Sequence, residues 1–219
     1  MSEIKKAKYL GGIGAVLIAV GVLLLGFFLI AASNLLSHNL LTWREGLFGL
    51  IVLISFVIGV ICFFLGFKKI TNIIGKKDPF WNLVVAFIIT ISSLITPIVG
   101  TALFLVAAIF FSKSLKEIGK ITRQKLFHWA ANVFLLSGVL SVILSSLGIL
   151  YMICTLFGQK CPLFSEGSKA SSNFLIFSYF FAILIPLFFL PFTFLFLAIA
   201  FFTLPEALSQ KSLTEKKET

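Results

Sequence analysis

The polar side chains that recur at a regular spacing inside the apolar stretches of this chain are hydroxyls. Ser137, Ser141 and Ser145 fall every fourth residue, so on a helix they make one narrow stripe. Thr90, Ser93 and Thr96 form a second set at similar spacing. Two such sets facing each other would offer a polar lining to a small neutral solute. The other reading is a packing seam of small residues whose hydroxyls bond back to carbonyls of their own helix.

Ionisable groups point away from catalysis. The eight acidic residues, Glu3, Glu45, Asp78, Glu117, Glu166, Glu206, Glu215 and Glu218, all lie between or at the ends of the apolar stretches, or in the tails. A charge at the centre of a membrane helix costs about 2.5–3.5 kcal/mol on insertion scales and persists mainly where a proton or ion must move. Interiors without charge therefore argue against a proton-coupled pump. His38 and His128 sit on opposite sides of the expected topology and cannot share a metal. No Ser/His/Asp, Cys/His or paired-carboxylate set falls on one side, so no catalytic, cofactor-binding or metal-ligating residue is assigned and no enzyme is expected.

Gly11, Gly12 and Gly14 follow a basic segment rather than a strand and lack the G-K-[ST] ending of a phosphate loop. Gly11 and Ala15, four apart, instead suit the close approach of a neighbouring helix. Of the three cysteines, Cys62 lies within an apolar stretch. Cys154 and Cys161 flank a loop expected outside the cell, where either a local disulfide or two unlinked thiols would fit.

These residues are embedded in a chain built for lipid. Its hydrophobic content of 59% and mean hydropathy of +1.12 exceed the roughly half-apolar usage of soluble domains. Residues 11–32, 46–67, 127–154 and 173–204 read as spans. The first is too long for a signal-peptide core and is followed by others, so it is expected to be retained. Residues 80–112 would make a straight helix about 50 Å long, against a hydrocarbon core of about 30 Å. Pro97 lacks an amide donor and disfavours helix at Thr96, which splits the segment into spans 80–96 and 97–112. The expected fold is an all-α bundle of six transmembrane helices in a single membrane domain, residues 1–219, with a basic tail at 205–219.

Charge supports the split. With six spans and both termini cytoplasmic, only Arg44, Lys160 and Lys169 of the 18 Lys and Arg lie outside. Without the split, the cations divide nine against nine. Pro186 and Pro191 raise a second hairpin within 173–204, but its arms would fall short of the ~17 residues a crossing needs. One tilted, proline-containing helix is the preferred reading. Trp43, Trp81 and Trp129 fall at span edges, as interfacial indoles do.

Shifting the chain by 48 positions aligns Phe63 with Phe111, Lys68 with Lys116, Ile70 with Ile118, Ile73 with Ile121, Lys77 with Lys125 and Trp81 with Trp129. Each copy would be a span end, a basic loop and the next span start in the same orientation, as in a parallel internal repeat. The pI of about 9.7 follows from topology and does not imply nucleic acid. Leu115, Ile118 and Phe127, set among cations, suit a segment lying on anionic headgroups at the cytoplasmic face.

The segments KAKYLGGIGAVLIAVG, FFSKSLKEIGKITRQKLFHWA and AIAFFTLPEAL together resemble a family of small multi-pass archaeal membrane proteins to which no biochemical role is assigned. The resemblance rests on residues 7–14, 110–130 and 198–205. The chain departs from it at Ile121-Thr122-Arg123, where a more glycine-containing pattern is usual, and in an insertion at 155–172. It implies a membrane-embedded archaeal protein and transfers no ligand or catalytic residue. Two functions remain in view: a non-enzymatic accessory or structural component of the cell membrane, packing against itself or other membrane proteins, and a passive channel or uncoupled carrier using the hydroxyl stripe.

Overall fold

The computed structural model describes residues 2–37, 43–95, 97–156 and 168–205. They form six helices: α1 Glu3–Ser37, α2 Trp43–Ile74, α3 Asp78–Ile95, α4 Pro97–Thr122, α5 Lys125–Leu156 and α6 Ser168–Phe202. Four carry stretches long and apolar enough to cross a membrane: Glu3–Phe28, Gly46–Ile74, Lys125–Leu147 and Ile185–Phe202. The apolar part of α3, Asp78–Ser93, is shorter. α4 gives its second half to Lys113, Lys116, Glu117 and Lys120, which shortens its apolar part.

Helix ends follow backbone chemistry. α3 stops at Ile95 and Pro97 opens α4, the helical position where a missing N–H costs nothing. α2 ends in a Schellman turn: Gly75 takes the left-handed φ of 75°, its N–H donates to Asn72 O and the Lys76 N–H donates back to Thr71 O at 3.2 Å. α4 ends the same way, with Arg123 at φ 55° and the Gln124 N–H donating to Gly119 O at 3.1 Å. Both helices run past the apolar stretches, through 68–74 and 113–122, so the connections are confined to 75–77 and 123–124. The segments expected as basic loops are thus mostly helical extensions, because buried Ile70, Leu115 and Ile118 give them an apolar face to pack. α6 is one helix with Pro186 and Pro191 inside it.

Successive helices pack antiparallel. A Cβ on Gly100 would meet the carbonyl of Ser93, and the Ser114 hydroxyl donates to Pro79 O at 2.6 Å, so α4 runs back along α3. Neighbours then follow the order α2, α1, α6, α5, α4, α3, while α2 and α3 share only a narrow contact. The starts of α1, α3 and α5 meet the ends of α2, α4 and α6. Lys5, Lys6, Lys8, Lys68, Lys69, Lys76, Lys77, Lys113, Lys116, Lys120, Arg123 and Lys125 therefore gather at one end of the bundle.

Among the described side chains, the core next to this cationic end is aromatic. Phe194 of α6 packs its ring between Phe63 of α2, at 5.4 Å, and Phe111 of α4, at 6.2 Å. Phe201 meets Phe63 and Phe127, each at 5.8 Å. Most of these contacts are edge-to-face, a geometry that adds about 0.5–1.5 kcal/mol per pair beyond area burial. The outer faces are apolar too. On α2, Leu47, Phe48, Leu50, Ile51, Leu53, Ile54, Val57, Ile58, Ile61 and Leu65 are all exposed, and its apolar window is only 17% buried. Such a face belongs against lipid rather than water.

α1 and α2 approach through glycine. A Cβ on Gly14 would meet the backbone of Phe63 and Gly59, and one on Gly66 would meet the backbone of Gly11. Backbone cannot swing aside as a side chain can. Gly26, on the same helix as Gly14, has nothing within 4 Å of its added Cβ. Gly66→Ala should therefore lower stability by about 1–3 kcal/mol, while Gly26→Ala stays neutral or gains slightly. Thermal unfolding of the two variants in the same detergent checks this; equal midpoints would refute the close approach.

Candidate functional site

The hydroxyl stripe on α5 is buried and spends most of its bonding capacity locally. Ser137 donates to Phe134 O at 2.7 Å and Ser141 to Ser137 O at 2.8 Å. Only the Ser145 hydroxyl, 2% exposed, has no partner in the structure. On α3, Thr90 donates to Ala86 O and Ser93 to Thr90 O, again within one helix. Thr96 lies outside the described residues. α3 and α5 share no broad interface, since each packs along α4. The two hydroxyl sets are thus held on helices that α4 joins, and the hydroxyls of Ser137, Ser141, Thr90 and Ser93 donate back to their own backbones.

Gly11 and Ala15 sit at a helix junction. Gly11 faces two neighbours, the backbone of Gly66 on α2 and the ring of Phe201 on α6. Ala15 is fully buried. Sequence reasoning found this pair and missed Gly14, Gly59, Gly66, Gly100 and Gly138, which meet backbone or Cβ atoms of neighbouring helices. Their signal was present in the seven-residue spacing of Gly59 and Gly66 and of Gly14 and Gly21. The side chain of Cys154 and all of Cys161 fall outside the described residues, as does His38. Cys62 is a free thiol, and among the described residues no three His, Cys, Asp or Glu side chains converge as metal ligands.

The charged end is where side chains from different helices meet. Lys69 of α2 reaches Glu3 of α1 at 2.6 Å, and Lys6 reaches the other oxygen of the same carboxylate at 3.0 Å. Lys76, in the α2–α3 turn, approaches Glu117 of α4 at 3.5 Å. The Gln124 amide, in the α4–α5 turn, donates to Thr203 O at 2.6 Å and ties down the end of α6. Between these clamps lies an open groove of about 670 Å³ lined by Lys76, Ile109, Ser112, Lys113, Lys116, Glu117, Lys120 and Leu135. The α4 residues Ile109, Lys113, Lys116 and Lys120 share a face by their spacing of four, three and four. Sequence reasoning placed the lysines in a loop and did not see the groove.

Hydrogen bonds from Lys69 and then Lys6 pull the Glu3 carboxyl down from 4.5 to about 2. Glu3 precedes the apolar run that begins at Gly11, so this pair faces water. A carboxylate depressed in the folded state stabilises above its unfolded pKa and loses that contribution as pH falls through the folded value. The tie between α1 and α2 should thus be complete above about pH 5 and weaken between 4.5 and about 2. Glu3→Gln should abolish this part of the acid dependence and change stability at pH 7 only slightly, because the pair is exposed and screened by solvent. Unfolding midpoints across pH 2–7 check both statements. No family model, curated protein or solved structure matches the chain.

Proposed function

We propose that the chain is a non-enzymatic accessory or structural component of the cell membrane. In this reading it crosses the bilayer six times, keeps both termini in the cytosol and offers small-residue seams to itself or to other membrane proteins. The observation that carries it is the separation of surfaces: apolar side chains cover the outer faces, and twelve cations from the start of α1, the end of α2, the α2–α3 turn, the end of α4, the α4–α5 turn and the start of α5 gather at one end, against Arg44 and Lys169 at the starts of α2 and α6. Cytoplasmic ends carry such an excess of Lys and Arg, and anionic headgroups are the partner that this end suits. Helices α3 and α4, too short or too charged to be obvious spans, are read as crossing because they flank the same reversal and share the same cationic end.

A parallel repeat belongs to the same proposal. Its support is the agreement of Gly75 with Arg123 and of the Lys76–Thr71 with the Gln124–Gly119 hydrogen bond, each offset by the 48 positions that also align the sequences. The likeness of residues 7–14, 110–130 and 198–205 to small archaeal membrane proteins is kept as an inference of origin. The second reading, a passive channel or uncoupled carrier, has one atom in its favour, the unpartnered Ser145 hydroxyl.

Two measurements test the main reading. A cysteine placed at Lys120 should stay unmodified by a membrane-impermeant maleimide in intact cells and react once the cells are opened. Labelling in intact cells would reverse the orientation. Purification in mild detergent should bring a stoichiometric membrane companion or a second copy of the chain, whereas a lone monomer would count against an accessory role.

A further inference from the structure

The groove at the charged end unites two kinds of wall. Lys113, Lys116 and Lys120 stand along one face of α4, and Lys76 enters from the α2–α3 turn, held there by Glu117. Four lysines against one glutamate leave a net charge of +3. Below them on the same α4 face lies Ile109, 51% exposed, and Leu135 of α5 completes an apolar wall. Trp81 and Trp129, each 60% exposed, open the helices α3 and α5 at this level, as indoles do at a headgroup boundary. A free phosphate would use the lysines and leave the apolar wall idle. An amphiphile whose phosphate and alkyl chain are covalently joined uses both.

We propose that this groove holds one anionic phospholipid, its phosphate among Lys76, Lys113, Lys116 and Lys120 and the start of one alkyl chain against Ile109 and Leu135. The proposal rests on the membrane reading above and sharpens it from a diffuse attraction of headgroups to a single saturable site. Lysine acts here as a point charge on a flexible stem, so it suits phosphate without demanding bidentate geometry. Glu117 keeps Lys76 over the groove and discourages a zwitterionic lipid little, whereas the net positive charge favours an anionic one.

The test uses the full-length chain, delipidated in detergent and titrated with short-chain phosphatidylglycerol or phosphatidylcholine, with bound lipid counted by native mass spectrometry. One phosphatidylglycerol should bind saturably and phosphatidylcholine should not. At about fivefold per lysine, K113Q/K116Q should weaken binding on the order of twentyfold. K113R/K116R should retain it, and K5Q/K8Q, which removes the same charge from the same end of the bundle, should change it less than twofold. Circular dichroism and unfolding midpoints identify any variant that fails to fold, and the single substitution K116Q, expected to weaken binding about fivefold, then carries the comparison with K5Q/K8Q. Equal weakening by K113Q/K116Q and K5Q/K8Q, equal binding of the two lipids, or displacement of phosphatidylglycerol by millimolar inorganic phosphate would each overturn the proposal. Extraction of the chain from membranes by alkaline carbonate would defeat the membrane reading itself; an integral protein without lipid preference defeats only the groove.

Discussion

Pro97 has no amide hydrogen to give, and the register of the whole bundle depends on the reversal beside it. Because α3 ends at Ile95 and α4 runs back along it, the end of α4 returns to the level where α3 began. That return places Glu117 within reach of Lys76, and it places the α4–α5 turn beside the end of α6, where Gln124 meets Thr203. A straight helix over residues 80–112 would send Lys113, Lys116 and Lys120 to the far end, away from Lys69 and Lys76. In hydrocarbon every backbone group must find a partner within the protein, so a turn is tolerated only where it is covered or reaches the surface. Gly100 lets α4 lie directly on the Ser93 carbonyl.

Two packing chemistries then divide the molecule. α1 and α2 are joined backbone to backbone through Gly11, Gly14, Gly59 and Gly66, which gains van der Waals contact where lipid removes the usual hydrophobic drive. Around α6 the joints are rings, with Phe63, Phe111 and Phe127 arranged about Phe194 and Phe201, and Phe134 packed behind Phe111. Gly11 links the two regimes, since its missing side chain admits both Gly66 and Phe201. The charged clamps at the polar end are exposed, so they orient helix ends more than they hold the bundle together.

Much of the helical plan was legible because apolar length and proline act locally. Pro97 marks its own break, and a helix needs only its own residues to form. What depended on neighbours was not legible. Ser137, Ser141 and Ser145 have a visible stripe, but their spacing alone does not reveal that α4 lies along both α3 and α5. Gly66 looks like any glycine until Gly11 is opposite it. Lys113, Lys116 and Lys120 read as loop because charge was taken to end the helix, whereas buried Leu115 and Ile118 on the opposite face carry it on to Thr122. Arg123 in a left-handed conformation was similarly hidden, since nothing but the turn demands it.

The central position of α6 has a consequence for biosynthesis. It follows the other five helices in the chain, yet it supplies the rings that Phe63, Phe111 and Phe127 pack against and covers the open side of Gly11. Until α6 has been translated and inserted, the earlier helices have their pairwise joints but no common centre, and the arc from α2 to α3 is open where its middle member belongs. A chain halted before α6 thus leaves paired helices in the bilayer, and the aromatic rings that α6 would cover stay in lipid until the closing helix arrives.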